Sequence, residues 1–171
     1  MLFGADGNVW NVFGLRTTGS ISATDVHQVS RMPDMQIDEF DLADYQAVVA
    51  LWRDAGLILR PGDDLDSIKL KLQRDADLFL VARERDEVVG CVMGGWDGRR
   101  GWSYHLAVKP SRQRSGIARR LVHELEARLA LKGAKRVNAQ VYESNIASLQ
   151  FFRACGYESR PDLVMIGKAL E

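Results

Sequence analysis

The segment Gln113-Arg114-Ser115-Gly116-Ile117-Ala118 has the residue types and spacing to grip an anion. It follows a strand-like run that Pro110 stops, and it precedes a long amphipathic helical pattern. Its backbone N–H groups therefore fall at a helix N-terminus, where unsatisfied donors and the positive end of the helix dipole attract phosphate or pyrophosphate. Gly116 and Ala118 are small enough for the backbone to approach a ligand closely. Arg112, Arg114, Arg119 and Arg120 add positive charge around the same point. The segment lacks the G-K-[ST] of a P-loop and the G-x-G-x-x-G of a dinucleotide fold, which argues against ATP and NAD. Further along, N-I-A-S-L-Q-F-F-R-A-C-G-Y opens at Asn145, a residue favoured at a helix N-cap whatever the function, and closes on Gly156-Tyr157.

The elements that must position these residues alternate between the helical and the strand period. Residues 1–34 mix Gly, Ser, Thr and Asn with scattered apolar residues in no sustained period, and read as an N-terminal extension of uncertain order. Met35 opens the domain, residues 35–171, with a short strand, and Asp41 is a plausible N-cap for a helix carrying Tyr45, Val48, Val49 and Trp52 on one face. Gly56 ends that helix, and the loop LRPGDD leads to a second one with Leu65, Ile68 and Leu72. LFLVARE and EVVGCVMGGW read as a hairpin turning at Arg85 and Asp86. After the Asp97-Gly98 turn, WSYHLAVKP is the strand that feeds the anion loop. The following helix spans about Gly116 to Lys132. RVNAQVY is a strand, a helix starts at Ser144 or Asn145, and a last strand is expected around Leu163 to Ile166.

Composition narrows the classes. Lys plus Arg and Asp plus Glu each number 23, so there is no net field to hold nucleic acid through its phosphates. The cysteines, Cys91 and Cys155, show neither metal-ligand nor disulfide-framework spacing, so no metal is expected and both read as small buried residues. No apolar run approaches the ~18 residues of a transmembrane helix. A cytoplasmic protein with no membrane partner is the expectation.

The two motifs together resemble the signatures of the GNAT acetyltransferase superfamily, R/Q-x-x-G-x-G/A and N-x-x-A-x-x-F-Y-x-x-x-G-F. Gln113, Gly116 and Ala118 match the first, and Asn145, Phe151, Gly156 and Tyr157 match the second. The resemblance runs from Met35 to about Leu170. It implies an α/β (α+β) fold with a mixed, mostly antiparallel sheet of six or seven strands flanked by about four helices. It also implies acetyl-CoA as acyl donor. Pantetheine would lie between the strand ending at Val108 and the strand carrying Val137 to Tyr142, bonded by the amides of Leu106 and Val108 with Ala107 between them. The pyrophosphate would rest on Gln113, Arg114, Ser115, Gly116, Ile117, Ala118 and Arg119, with Asn145, Phe151 and Phe152 nearby.

Acyl transfer to an amine needs a neutral nucleophile, an oxyanion donor and a thiolate able to leave. Many relatives carry a Tyr general acid at the position of Phe152, which cannot donate a proton. A thiol of pKa near ~8.5 leaves more readily than an alcohol, so catalysis remains open to it. The strand position that holds a Glu in members acting on protein N-termini is Gln140. Tyr104 and His105 are the candidate catalytic residues, with Glu143 a further one. Tyr104 ranks first on resemblance, and strand alternation predicts that only one of the pair faces the acceptor. Arg60 and Asp97, in loops that wall the acceptor site of this fold, are candidate substrate contacts, weighed against ordinary turn chemistry. The expected partner is a small-molecule or peptide amine, and edge strands of this architecture often pair between subunits, which allows a homodimer. The readings from other classes are an acyl-CoA-binding module with little catalysis and a transferase of a bulkier acyl group.

Overall fold

The computed structural model describes residues 35–168, so the extension 1–34 lies outside the described residues. The elements are β1 (Met35–Glu39), α1 (Tyr45–Asp54), α2 (Leu65–Asp75), β2 (Phe79–Glu84), β3 (Glu87–Trp96), β4 (Gly101–Val108), α3 (Ile117–Leu131), β5 (Val137–Ala139) and α4 (Ile146–Ala154). Their strands form one mixed sheet in the order β1-β2-β3-β4-β5, antiparallel except for the β4–β5 pair.

The unbroken apolar run of β2 is explained by cover on both faces. Leu80 and Ala82 point to a core shared with Ile117, Leu121, Leu125 and Leu129 of α3. Phe79 and Val81 point to the opposite core, shared with Val48, Val49 and Trp52 of α1 and Ile68 of α2. Each leucine of the α3 stripe is fully buried, worth about 1.5–3 kcal/mol of transfer free energy. α3 comes this close because β3 and β4 present glycine beneath it. A Cβ on Gly101 would lie 2.6 Å from Leu129, and one on Gly90 would lie 2.9 Å from Ile117. The Gly90 approach fixes the start of α3 beside the end of β4, where Val108 pairs with Gly90, and the Gly101 approach fixes the far end of α3 over the start of β4.

Three local features differ from the sequence expectations. Asp41 caps a 3-10 turn, Leu42–Asp44, that leads into α1, through a reciprocal capping box in which Asp44 accepts from the Asp41 backbone N–H. Within RVNAQVY only Val137–Ala139 pair with a neighbour. The strand expected at Leu163 to Ile166 does not form. Those four apolar residues stay exposed, with no neighbouring strand to complete their ladder and no surface to bury their alternate side chains. The sheet therefore has five strands among the described residues rather than six or seven, with the expected four helices.

Candidate active site

β4 and β5 pair at Gly101–Val137, Trp102–Asn138 and Ser103–Ala139, and then separate. Among the described residues, the β5 side of β4 has no strand partner from Tyr104 to Val108, which leaves main-chain donors and acceptors along a V-shaped opening.

Below that opening lies a recess of about 250 Å³ lined by Val108, Gln113, Gly116, Ala118, Arg119 and Phe151 among others. Gly116 is the N-cap of α3 with φ 85° and supplies no side-chain cap, so the first N–H groups of the helix are open to a ligand. Arg114 is also left-handed, φ 60°, and the two curl the loop around the helix start. The Gln113 amide donates to the Val108 carbonyl at 3.4 Å, tying the loop to the end of β4. Arg112 is paired with Glu84 at 2.8 Å, and the Arg120 guanidinium is directed to the Met35 carbonyl of β1. Arg119 donates to the Ala154 carbonyl at 3.4 Å, joining α3 to α4. Asn145 is the N-cap of α4, its side-chain oxygen accepting from the Ser148 N–H at 3.0 Å. Phe152 is buried, edge-on to Tyr157, whose hydroxyl donates to Glu126 at 2.8 Å.

The alternation expected for Tyr104 and His105 does not hold. The register of β3 against β4 shifts between Cys91–Ala107 and Met93–Tyr104, so His105 and Leu106 together oppose the single Val92. His105 is the extra residue of a β-bulge and has φ 47°. A non-glycine residue in that region costs about 1–2 kcal/mol, and the bulge turns its side chain to the face that Tyr104 already occupies. Tyr104 packs against the α1–α2 core and stacks on Trp102 with ring centroids 6.2 Å apart. The His105 ring sits 4.7 Å from that of Trp52 in the same core. Burial, with a smaller contribution from the charge of Asp97, raises the Tyr104 hydroxyl above its ordinary range.

The loop between α1 and α2 covers this face. His105 Nε2 lies 2.9 Å from Asp63 Oδ1. Asp63 is buried, its Oδ2 accepts the Arg60 N–H at 2.8 Å, and its carbonyl accepts from the Tyr45 hydroxyl at 3.1 Å. The Arg60 guanidinium reaches across the cleft and donates to the Tyr142 hydroxyl at 2.7 Å. Asp97 is not brought into this group. One of its oxygens accepts the Arg99 and Arg100 N–H groups and the other accepts the Trp102 indole, so it serves its own turn. Sequence reasoning passed over Tyr142, whose only signal was its place just past β5, and it placed Asp63 in a loop without its partner His105. Gln140 and Glu143 are exposed. Cys91 is fully buried under Trp52, and burial pushes its thiol up to about 12, whereas Cys155 is only half-buried.

A sheet that opens between two parallel strands beside an uncapped helix start is the arrangement that the resemblance to acetyltransferases implies, and comparison with known proteins agrees. Residues 41–157 match the acetyltransferase (GNAT) family, and the chain belongs to that family. An acetyltransferase of Pectobacterium atrosepticum is 41% identical over 137 residues, 80% of this chain and 96% of the relative. An acetyltransferase of Sodalis glossinidius is 39% identical over the same shares. Among solved structures, the PaiA N-acetyltransferase from Thermoplasma acidophilum in complex with coenzyme A superposes with a TM-score of 0.67 at 16% identity, covering 74% of this chain and 91% of that one. The aminoglycoside acetyltransferase AAC(6')-Iy with a bisubstrate analogue gives 0.65 at 16% identity, covering 80% and 99%. No helix among the described residues is long and apolar enough to cross a membrane.

Proposed function

We propose that this acetyltransferase moves an acetyl group from acetyl-CoA to a primary amine of a small molecule or peptide, by direct attack in a ternary complex. The observation that carries the reading is the opening between β4 and β5 directly above the uncapped start of α3. A long donor with an amide-bearing arm and a pyrophosphate fits that pair of features. The unpaired main chain of Leu106, Ala107 and Val108 bonds the arm as a third strand would. The loop from Gln113 to Arg119 takes the pyrophosphate on backbone N–H groups, where Arg114 adds charge. Phe151 walls the recess with Phe152 packed edge-on behind it, and Asn145 retains its side-chain amide as a donor while its oxygen caps α4.

The chemistry falls to the bulge. A main-chain N–H of β4 near Val108 stabilises the oxyanion that forms as the amine adds to the thioester carbonyl. His105 takes a proton from the amine nitrogen as the C–N bond forms. The C–S bond then breaks with its electron pair on sulfur, and the sulfur is protonated by Tyr104, whose burial keeps its hydroxyl a donor. The imidazolium returns its proton through Tyr104, so the sum is amine plus thioester to amide plus thiol. Arg60, opposite Tyr142, contacts the acceptor.

A panel of aminoglycosides, polyamines, amino acids and N-terminal peptides, with thiol release as readout, tests this. Saturable release with one class supports the transferase, and silence with every class, together with tight acetyl-CoA binding, supports a binding module instead.

A further inference from the structure

Two side chains 82 residues apart in sequence meet across the mouth of the acceptor cleft. The Arg60 guanidinium, from the loop between α1 and α2, donates to the Tyr142 hydroxyl just past β5 at 2.7 Å. Both side chains are exposed, and an exposed polar contact adds little to the stability of a fold. The root of the Arg60 side chain is nevertheless fixed. Its backbone N–H is anchored on Asp63 Oδ2, its carbonyl accepts the Asp63 N–H at 3.0 Å, and Tyr45 ties down the Asp63 carbonyl.

The pair keeps unused donors at this mouth. A guanidinium has five N–H groups, and among the described residues the Tyr142 hydroxyl is the one hydrogen-bond partner of the Arg60 side chain. The nearby acids are committed elsewhere: Asp63 Oδ2 to the Arg60 backbone, and Asp64 to Ser67 as the cap of α2. A hydroxyl that accepts from Arg60 also retains its own proton to donate. An N–H fork beside an O–H suits the two oxygens of a carboxylate. Deeper in the cleft the sign of the charge reverses. Asp63 is buried, with Oδ1 2.9 Å from His105 Nε2, whereas Arg60 lies at the surface. A polyamine or an aminoglycoside, cationic along its length, meets an opposing charge at the entrance. A molecule with an ammonium at one end and a carboxylate at the other enters amine first and complements both charges.

We infer that the acceptor is an amine that also carries a carboxylate, a free amino acid or a short peptide, and that Arg60 and Tyr142 bind this carboxylate while the amine reaches His105. The inference rests on the acetyl transfer proposed above and names the substrate class within it.

Thiol release from acetyl-CoA by the full chain tests this, with amino acids and dipeptides compared with the same compounds in which every carboxylate is a carboxamide. The best acid is expected to exceed its carboxamide about 10²-fold in kcat/KM, chiefly through KM. In Arg60→Gln that ratio is expected to fall about tenfold or more, and in Tyr142→Phe by a smaller factor, with the unfolding midpoint and the calorimetric affinity for acetyl-CoA unchanged. Arg60→Glu is expected to reverse the preference, favouring the carboxamides and putrescine over the acids. Wild-type turnover of carboxamides, polyamines or aminoglycosides as fast as that of the acids overturns the inference and leaves acetyl transfer standing. A preference for the acid that survives in Arg60→Gln overturns the role of Arg60. Silence with amines of every class, while acetyl-CoA binds, overturns the transfer reading and the inference with it.

Discussion

Gly116 offers a way to separate the proposed anion site from the fold. A Cβ built there meets nothing within 4 Å, so Gly116→Ala brings no clash and its cost is the left-handed backbone, φ 85°, alone. That is about 1–2 kcal/mol, or a fall in Tm of about 2–6 °C for a chain of this size. Gly116→Glu carries the same backbone cost, and a carboxylate at a helix N-terminus recovers some ~0.3–1 kcal/mol. The two variants should therefore be similarly stable. They should not bind alike. A carboxylate ~6 Å from a pyrophosphate, at an effective dielectric of ~40, repels each of its two charges by about 1.4 kcal/mol. The Glu variant should bind acetyl-CoA roughly 30- to 150-fold more weakly than the Ala variant, and added salt should narrow the gap. Isothermal calorimetry on both variants measures this directly. Equal affinity, or a gap that does not respond to salt, would refute the placement of the pyrophosphate at α3.

Further outcomes follow from the core and the buried groups. Leu125→Ala removes a fully buried side chain that packs over Gly94, and denaturant unfolding should show a loss of about 2–5 kcal/mol. Tyr104→Phe should leave acetyl-CoA affinity unchanged in calorimetry and lower kcat, because only the proton donor is lost; unchanged kcat would remove Tyr104 from the chemistry. Cys91 is raised by burial from 9.0 to about 12, so the folded state holds this proton after the unfolded chain has released it. Its contribution is complete below pH 9.0 and declines as pH rises towards about 12, at up to ~1.4 kcal/mol per pH unit. Cys91→Ala should flatten the alkaline fall in Tm, and an identical slope in both proteins would contradict this.

The parts of the fold that were legible in the sequence are those where local pattern and tertiary cover agree. The Leu121-Leu125-Leu129 stripe, the Arg85-Asp86 hairpin and the turn at Asp97-Gly98 each state their own structure. The loop that opens α3 was legible for the same reason, since a Pro stop, a small-residue loop and an amphipathic helix are all local. What depended on another element was not. Period-2 alternation assumes an uninterrupted ladder, and the bulge opposite Val92 turns His105 to the same face as Tyr104. The partner of His105 lies on the α1–α2 loop, which no spacing rule connects to β4. Leu163 to Ile166 have the composition of a strand but lack a neighbour to pair with, and a strand needs one.

Thermal unfolding with and without saturating acetyl-CoA, with ATP and NAD as controls, tests the central claim most directly. At ~100 times its dissociation constant the donor should stabilise the protein by about 2.7 kcal/mol and raise Tm by several degrees, while ATP and NAD should leave it nearly unmoved. A folded, ligand-free protein whose Tm does not respond to acetyl-CoA would contradict the assignment of the opening between β4 and β5 as the donor site.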